Sequence, residues 1–320
     1  MFKFRVPGLL RRRAVRRLIV AWAVLCAAWL LISMAVAYRL THRLEARIDE
    51  TAPSLAWGRL ESRRIATRDG EEIGAWFVDG RADAPGVVVL HGHKGKRGNS
   101  LGRAELLAAQ GYAVLMVTLR AHGDSTGDYD DIGFGARHDV VAAVEFLEAR
   151  RPGLPVIVDG NSMGAAAAVF AARELGHRVR GYILESPYQD LKVAVRNRTE
   201  LALPPVISQA AYAGLRLVAP LFLPHLDEIS PLLAIAGIPD DVPVLIMAGE
   251  ADRRARPEEA RALHGRVATH GRLMIIPGAD HGDLLHAARD LYTRTILEFC
   301  REVTSPARIS SSGPSPNRRE

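Results

Sequence analysis

The longest apolar run in the chain comes near its start. From Leu18 to Ala37 every residue is apolar except Ser33, a run of 20 residues. Wound as a helix rising about 1.5 Å per residue, that run spans roughly the 30 Å hydrocarbon core of a bilayer. Residues 39–58 are more polar and read as a juxtamembrane helix or linker. The period then changes. Arg63–Thr67 and Glu72–Val78, joined at Asp69-Gly70, predict a β-hairpin. Short, fully apolar segments follow at Val87–Leu90, Ala113–Thr118, Val156–Val158, Tyr182–Leu184, Val244–Ala248 and Leu273–Ile276. Helical patterns lie between and after them, at Ser100–Gln110, Gly135–Arg151, Met163–Leu175, Pro257–His264 and Leu284–Phe299.

Continuous apolar strands alternating with helices imply a mostly parallel sheet covered on both faces. The expected body is one open α/β domain of eight strands over residues 59–303. One interval breaks the rhythm: some fifty residues between Pro187 and Pro239 carry no strand signal, and Leu201–Pro224 is apolar and punctuated by prolines. A loop that long inside a compact domain is functional or a subdomain, so residues 188–239 are expected to form a small helical lid. The tail, 304–320, is rich in Ser, Pro and Arg and is expected to be disordered. No internal repeat is present.

Charge changes the picture at one end only. Residues 1–17 hold seven cations (Lys3, Arg5, Arg11, Arg12, Arg13, Arg16 and Arg17) and no acid, more than the whole net charge of +6, so the remainder carries −1. The basic balance therefore belongs to a tail, and a nucleic-acid partner loses its main support. Cations before an apolar run place residues 1–17 in the cytoplasm, 18–38 across the membrane and the body outside it. The competing reading is a secretory signal cleaved near Ala37, since Ala35-Val36-Ala37 has the small-x-small form. Its apolar run is longer than a usual signal core, which favours the anchor. Cys26 and Cys300 sit too differently to predict a disulfide.

Gly160-Asn161-Ser162-Met163-Gly164 fits Gly-x-Ser-x-Gly, directly after the strand Val156–Val158 and at the start of an Ala-rich helix. Such a strand-to-helix turn strains the serine and lifts its hydroxyl off the sheet edge, and close backbone makes Gly160 and Gly164 necessary. The alternative is a structural turn with a capping serine. A serine nucleophile needs a base, and the base needs an orienting acid. His281 follows the last strand and Asp252 the one before it, both at carboxyl ends where sites form in open α/β sheets. Glu250 is the alternative acid; Asp280 adjoins His281 too closely to orient it easily. His264, His270 and His286 read as surface residues. The backbone N–H groups of Met163 and His93 are the expected oxyanion donors. His91 reads as a buried histidine shaping its loop. A metal reading of His91-Gly92-His93 is disfavoured by Lys94, Lys96 and Arg97 alongside. The chemistry calls for no cofactor and no metal.

Residues 60–300 resemble the α/β-hydrolase superfamily through His91-Gly92-His93, Gly160–Gly164, Asp252 and His281. Leu119-Arg120-Ala121-His122-Gly123-Asp124-Ser125 is similar to that family's Arg-Gly-His-Gly-x-Ser loop, which braces the site. Thr118 stands where an acid is commonly seen and Ala121 where the loop has its first glycine. The resemblance is nearest to bacterial membrane-anchored hydrolases similar to ABHD-type lipases and acyl-protein thioesterases. It implies an α/β-hydrolase fold with a lid, and cleavage of an ester or thioester through an acyl-enzyme. The expected substrate is a small-molecule or lipid-like acyl ester. A peptidase and a non-catalytic binding protein on the same fold are the alternatives. Lys94, Lys96, Arg97, Arg253, Arg254 and Arg256 are expected around the mouth, as a solvated rim or as contacts to an anionic substrate.

Overall fold

The computed structural model describes residues 8–305 except residue 283. Its strands are β1 (Glu61–Ala66), β2 (Glu72–Val78), β3 (Gly86–Leu90), β4 (Ala113–Thr118), β5 (Val156–Asn161), β6 (Val179–Glu185), β7 (Val244–Gly249) and β8 (Gly271–Ile276). They form one sheet in the order β1-β2-β4-β3-β5-β6-β7-β8. The pairs β1–β2 and β2–β4 are antiparallel and the rest are parallel. This is the eight-stranded, mostly parallel sheet expected.

Alternation along the strands explains how both faces are buried. In β3, Val87 and Val89 face one helical layer, while Val88 and Leu90 face the other. The first layer is α2 (Leu101–Ala108) and α10 (Arg289–Val303), through Leu107, Ile296 and Phe299. The second is α3 (Arg137–Arg150), α4 (Met163–Leu175) and α8 (Pro257–Arg266), through Leu147, Val169 and Leu263. A strand with apolar side chains on both faces needs both layers. The single C-terminal helix expected over Leu284–Phe299 is in fact two, α9 (Leu284–Ala287) and α10, parted at Ala288, whose φ is −147°. Neither glycine nor proline marks the break, so the apolar periodicity ran through it.

Between β6 and β7 the chain forms α5 (Leu191–Ala202), α6 (Pro205–Phe222) and the short α7 (Pro231–Ala234). Asp190 caps α5 by accepting from the Lys192 N–H at 2.8 Å. Pro205 opens α6 at a position where a missing N–H costs nothing.

The N-terminal helix α1 (Gly8–Thr41) lies along α6. Most of its apolar surface is exposed, but Ser33, Ala37 and Thr41, one turn apart, are buried. Trp29, one turn earlier on the same stripe, donates its indole N–H to the Ala210 carbonyl at 3.0 Å. Small residues let the two backbones approach closely. A Cβ on Gly214 would collide with Ser33 Oγ and stand 3.0 Å from the Trp29 ring. Beyond Thr41 the chain lacks regular structure, yet it is tied to the body. The Arg43 guanidinium donates to the carbonyls of His122, Gly123 and Ser125.

Candidate active site

The turn from β5 into α4 holds Ser162 at φ +51°, a region costly for a residue with a side chain. Its N–H donates to the Glu185 carbonyl at 2.7 Å, which fixes the turn against β6. A Cβ on Gly160 would come within 2.5 Å of the Gly164 carbonyl, and one on Gly164 within 2.7 Å of the His91 carbonyl. The elbow is thus tight enough to demand glycine on both sides.

The structure brings Ser162, His281 and Asp252 into line. His281 Nε2 lies 3.1 Å from Ser162 Oγ, and His281 Nδ1 lies 2.8 Å from Asp252 Oδ2. Asp252 is itself held: its other oxygen accepts the N–H groups of Arg254 and Ala255 at 2.8 and 2.9 Å. Glu250 instead accepts from the Gly278 N–H, and Asp280 accepts the His281 backbone N–H rather than its ring. The Met163 N–H, first in α4, has no acceptor within the helix. Met163, His93 and Ser162 line one apolar cleft, which α5 and α6 also wall.

His91 is buried, and burial pushes its pKa down to about 3. Neutral, it donates from Nδ1 to the Gly92 carbonyl at 2.7 Å and accepts the Leu119 N–H at Nε2 at 3.0 Å. The histidines that converge are His93 and His122, with Asp130: His93 Nδ1 is 3.0 Å and His122 Nε2 3.7 Å from Asp130 Oδ2. This cluster has the spacing of a cation site. However, His122 Nε2 already accepts the Lys94 N–H at 3.1 Å, so a metal would have to displace that bond.

Other parts of the site carry no motif. Beneath the elbow, buried Arg103 donates to Asp159 (2.9 Å) and Glu185 (3.3 Å), and Tyr292 donates to Glu185 (2.7 Å). Burial, even against Arg103, holds the Asp159 carboxyl well above the usual range. Arg97, expected at the mouth, is instead 2% exposed. It makes a bidentate pair with Asp124 at 2.6 and 2.7 Å and reaches Glu50 at 3.4 Å. Glu50 also accepts from Thr118 Oγ1 at 2.7 Å, so a carboxylate from the segment after α1 sits against the threonine that replaces the commonly seen acid. Ala121 adopts φ +57°, which explains why that loop favours glycine there. Finally, Ala37, Leu40 and Thr41 of α1 line the same cleft as Ser162.

A family model described as "Serine aminopeptidase, S33" matches residues 83–228. The uncharacterized protein Rv2307c of Mycobacterium tuberculosis is 26% identical over 245 residues, covering 73% of this chain and 79% of that protein. The lysophosphatidylserine lipase ABHD12 of Gallus gallus is 32% identical over 129 residues, 38% of this chain and 33% of the lipase. Among solved structures, the Pyrococcus furiosus esterase Pf2001 superposes with a TM-score of 0.65 at 23% identity, over 81% of this chain and 99% of that one.

Proposed function

The chain belongs to the α/β-hydrolase superfamily of serine hydrolases, and on that premise we propose that it cleaves the carboxylic ester or thioester of an acyl-chain substrate, with Ser162 as nucleophile. The observation that carries this reading is the unbroken line from Ser162 Oγ through the His281 ring to a buried, doubly hydrogen-bonded Asp252. With Nδ1–H donated to Asp252, Nε2 of neutral His281 is free to take the serine proton as Oγ attacks the carbonyl carbon. The N–H groups of Met163 and His93 stabilise the oxyanion. His281 then gives the proton to the leaving alcohol or thiol, and repeats the exchange with water to release the acid.

An apolar cleft suits an acyl chain better than a peptide, and a lipase is among the relatives. We read α1 as a retained anchor rather than a cleaved signal, with the N-terminus in the cytoplasm and the body outside. Cleavage after Ala37 would remove the Trp29, Ser33 and Ala37 stripe that packs on α6, together with one wall residue of the cleft. The test is labelling of the full chain by a fluorophosphonate probe, alongside hydrolysis of p-nitrophenyl esters of increasing chain length. Ser162→Ala is expected to abolish both. Labelling that survives the substitution removes Ser162 from the mechanism. Turnover of aminoacyl anilides in preference to esters would make the protein a peptidase.

A further inference from the structure

The lid presents to the outside what a lid over an aqueous cleft would hide. Along α5 and α6, the side chains of Val206 (81% exposed), Leu221 (73%), Leu217 (62%) and Ile207 (56%) face outward, with Leu201 and Leu203 at the tip between the helices. From residue 201 to 222 the only charged residue is Arg216, and it lines the cleft. The neighbouring Glu200 is turned to Arg256 of the body, 2.5 Å away.

The register against α1 fixes where this surface lies. Trp29 meets Ala210, Ser33 and Trp29 crowd Gly214, and Tyr38 and His42 meet the ring of Phe222. Both residue numbers rise together, so α1 and α6 run parallel, and the start of α6 points back along the apolar run. Trp29 lies eight residues inside Ala37, roughly 12 Å into the span at 1.5 Å per residue. The Ala210 carbonyl shares that depth, and Val206, one turn further, is deeper still. Arg216 lies near the level of Ala37, where a long cationic side chain reaches the interface.

We propose that α6 is itself immersed in the hydrocarbon core beside α1, its start reaching about the midplane, and that the cleft over Ser162 fills laterally from the outer leaflet. The occupant of the exposed lid face is lipid acyl chain. The argument is continuity, because the exposed faces of α1 and α6 form one apolar surface across a close-packed contact. The cleft lies between these two helices and the sheet, walled by Ala37, Leu40 and Thr41 at the level where the apolar run ends. There the ester of a membrane amphiphile would meet Ser162 while its chain stayed between α1 and α6. The proposal rests on the reading of α1 as a retained anchor.

The test uses the full chain in phosphatidylcholine vesicles, with Cys26→Ala as background and a fluorescent thiol probe placed singly at Val206→Cys, Leu217→Cys or Asp227→Cys. Cys300 is buried and stays unlabelled. Chain-brominated lipid is expected to quench the probe at 206 and 217, and aqueous iodide the probe at 227. Iodide quenching at 206 and 217 overturns the proposal, as does protection from both quenchers with a crosslink to a second copy. This readout does not depend on turnover. In parallel, Val206→Asp and Leu217→Asp are expected to lower hydrolysis of a vesicle-borne ester by roughly tenfold or more, given the cost of an acid in hydrocarbon. Fluorophosphonate labelling and p-nitrophenyl acetate turnover in detergent are expected to stay within about twofold. Loss of all turnover in the unsubstituted chain would sink the hydrolase reading and leave the quenching result to decide immersion. Equal loss on both esters would overturn lateral filling.

Discussion

The two walls of the cleft are built on opposite rules. On the sheet side, Ser162, His281, Asp252 and His91 are each fixed by directed hydrogen bonds, and Ser162 sits at a backbone position strained enough to require glycine on both sides. On the α1–α6 side the contact rests on apolar shape, with one indole-to-carbonyl bond and a glycine that admits Trp29 and Ser33. Chemistry tolerates little displacement, because a misplaced base loses its proton-transfer geometry. Holding an acyl chain asks only for apolar surface of the right width. Damage to the first wall should therefore stop turnover with little change in binding, and damage to the second should do the reverse.

The largest expected effect tests the first half of that contrast. On the proposed mechanism, Asp252→Asn leaves the packing in place but favours the wrong tautomer of His281. The expected loss of kcat on p-nitrophenyl butyrate is about ten-thousand-fold, with KM changed little. A loss under about tenfold would mean that Asp252 only braces its loop.

How much of each wall could be read in the sequence follows from the same contrast. The elbow was legible because Gly160 must clear the Gly164 carbonyl within the turn itself, and a local constraint leaves a local pattern, although Gly164 answers to the distant His91 carbonyl. Strand ends placed Asp252 and His281 in the same way. The parallel sheet was legible from apolar runs such as Val87–Leu90. The role of Ala37, Leu40 and Thr41 was not, because an apolar residue beside a cleft looks like any other residue of a membrane span. Ser33, the single polar interruption of the run, marked the lid-facing stripe, but the sequence alone does not say what it faces. Glu50 and Arg97 were opaque for a different reason: their pairing crosses 47 residues and depends on where the segment after α1 is tied down. Proximity in sequence to Lys94 and Lys96 suggested a rim cation, whereas burial against Asp124 and Glu50 makes Arg97 structural.

The next effect concerns the floor under the elbow. Arg103→Ala leaves Asp159 and Glu185 buried with no cation between them. Removing one partner from such a cluster costs about 3–5 kcal/mol, to be read from urea unfolding. A change below about 1 kcal/mol would show that the two carboxyls share a proton and need no arginine. The opposite wall should respond more mildly. Gly214→Val drives two methyl groups toward Ser33 and Trp29, an overpacking expected to cost about 1–3 kcal/mol locally. Its signature is a raised KM for long-chain esters, with acetate ester turnover retained. Equal loss on short and long esters would erase the distinction between the walls.

The smallest effect separates the walls by pH. Burial lowers the pKa of His91 to about 3, so it stays neutral in the folded chain while its unfolded form takes up a proton near pH 6.5, and burial lowers that of His122 below its ordinary value, so it charges later than its unfolded form. At these two histidines the unfolded state then binds more protons, so their contribution to stability falls as pH drops through 6.5, continuing for His91 until its folded pKa is reached, while Asp139, raised to about 6 by burial, acts the opposite way. Between pH 7 and pH 6 the loss is under about 1 kcal/mol for each histidine. His91→Asn can still donate to the Gly92 carbonyl but cannot titrate, so it should flatten this slope at some cost in absolute stability. Gly214→Val should leave the slope untouched, because no ionisable side chain joins α1 to α6 at that contact. If both variants changed the pH slope alike, the sheet wall would not be unfolding independently of the lid, and the two halves of the cleft would be one cooperative unit.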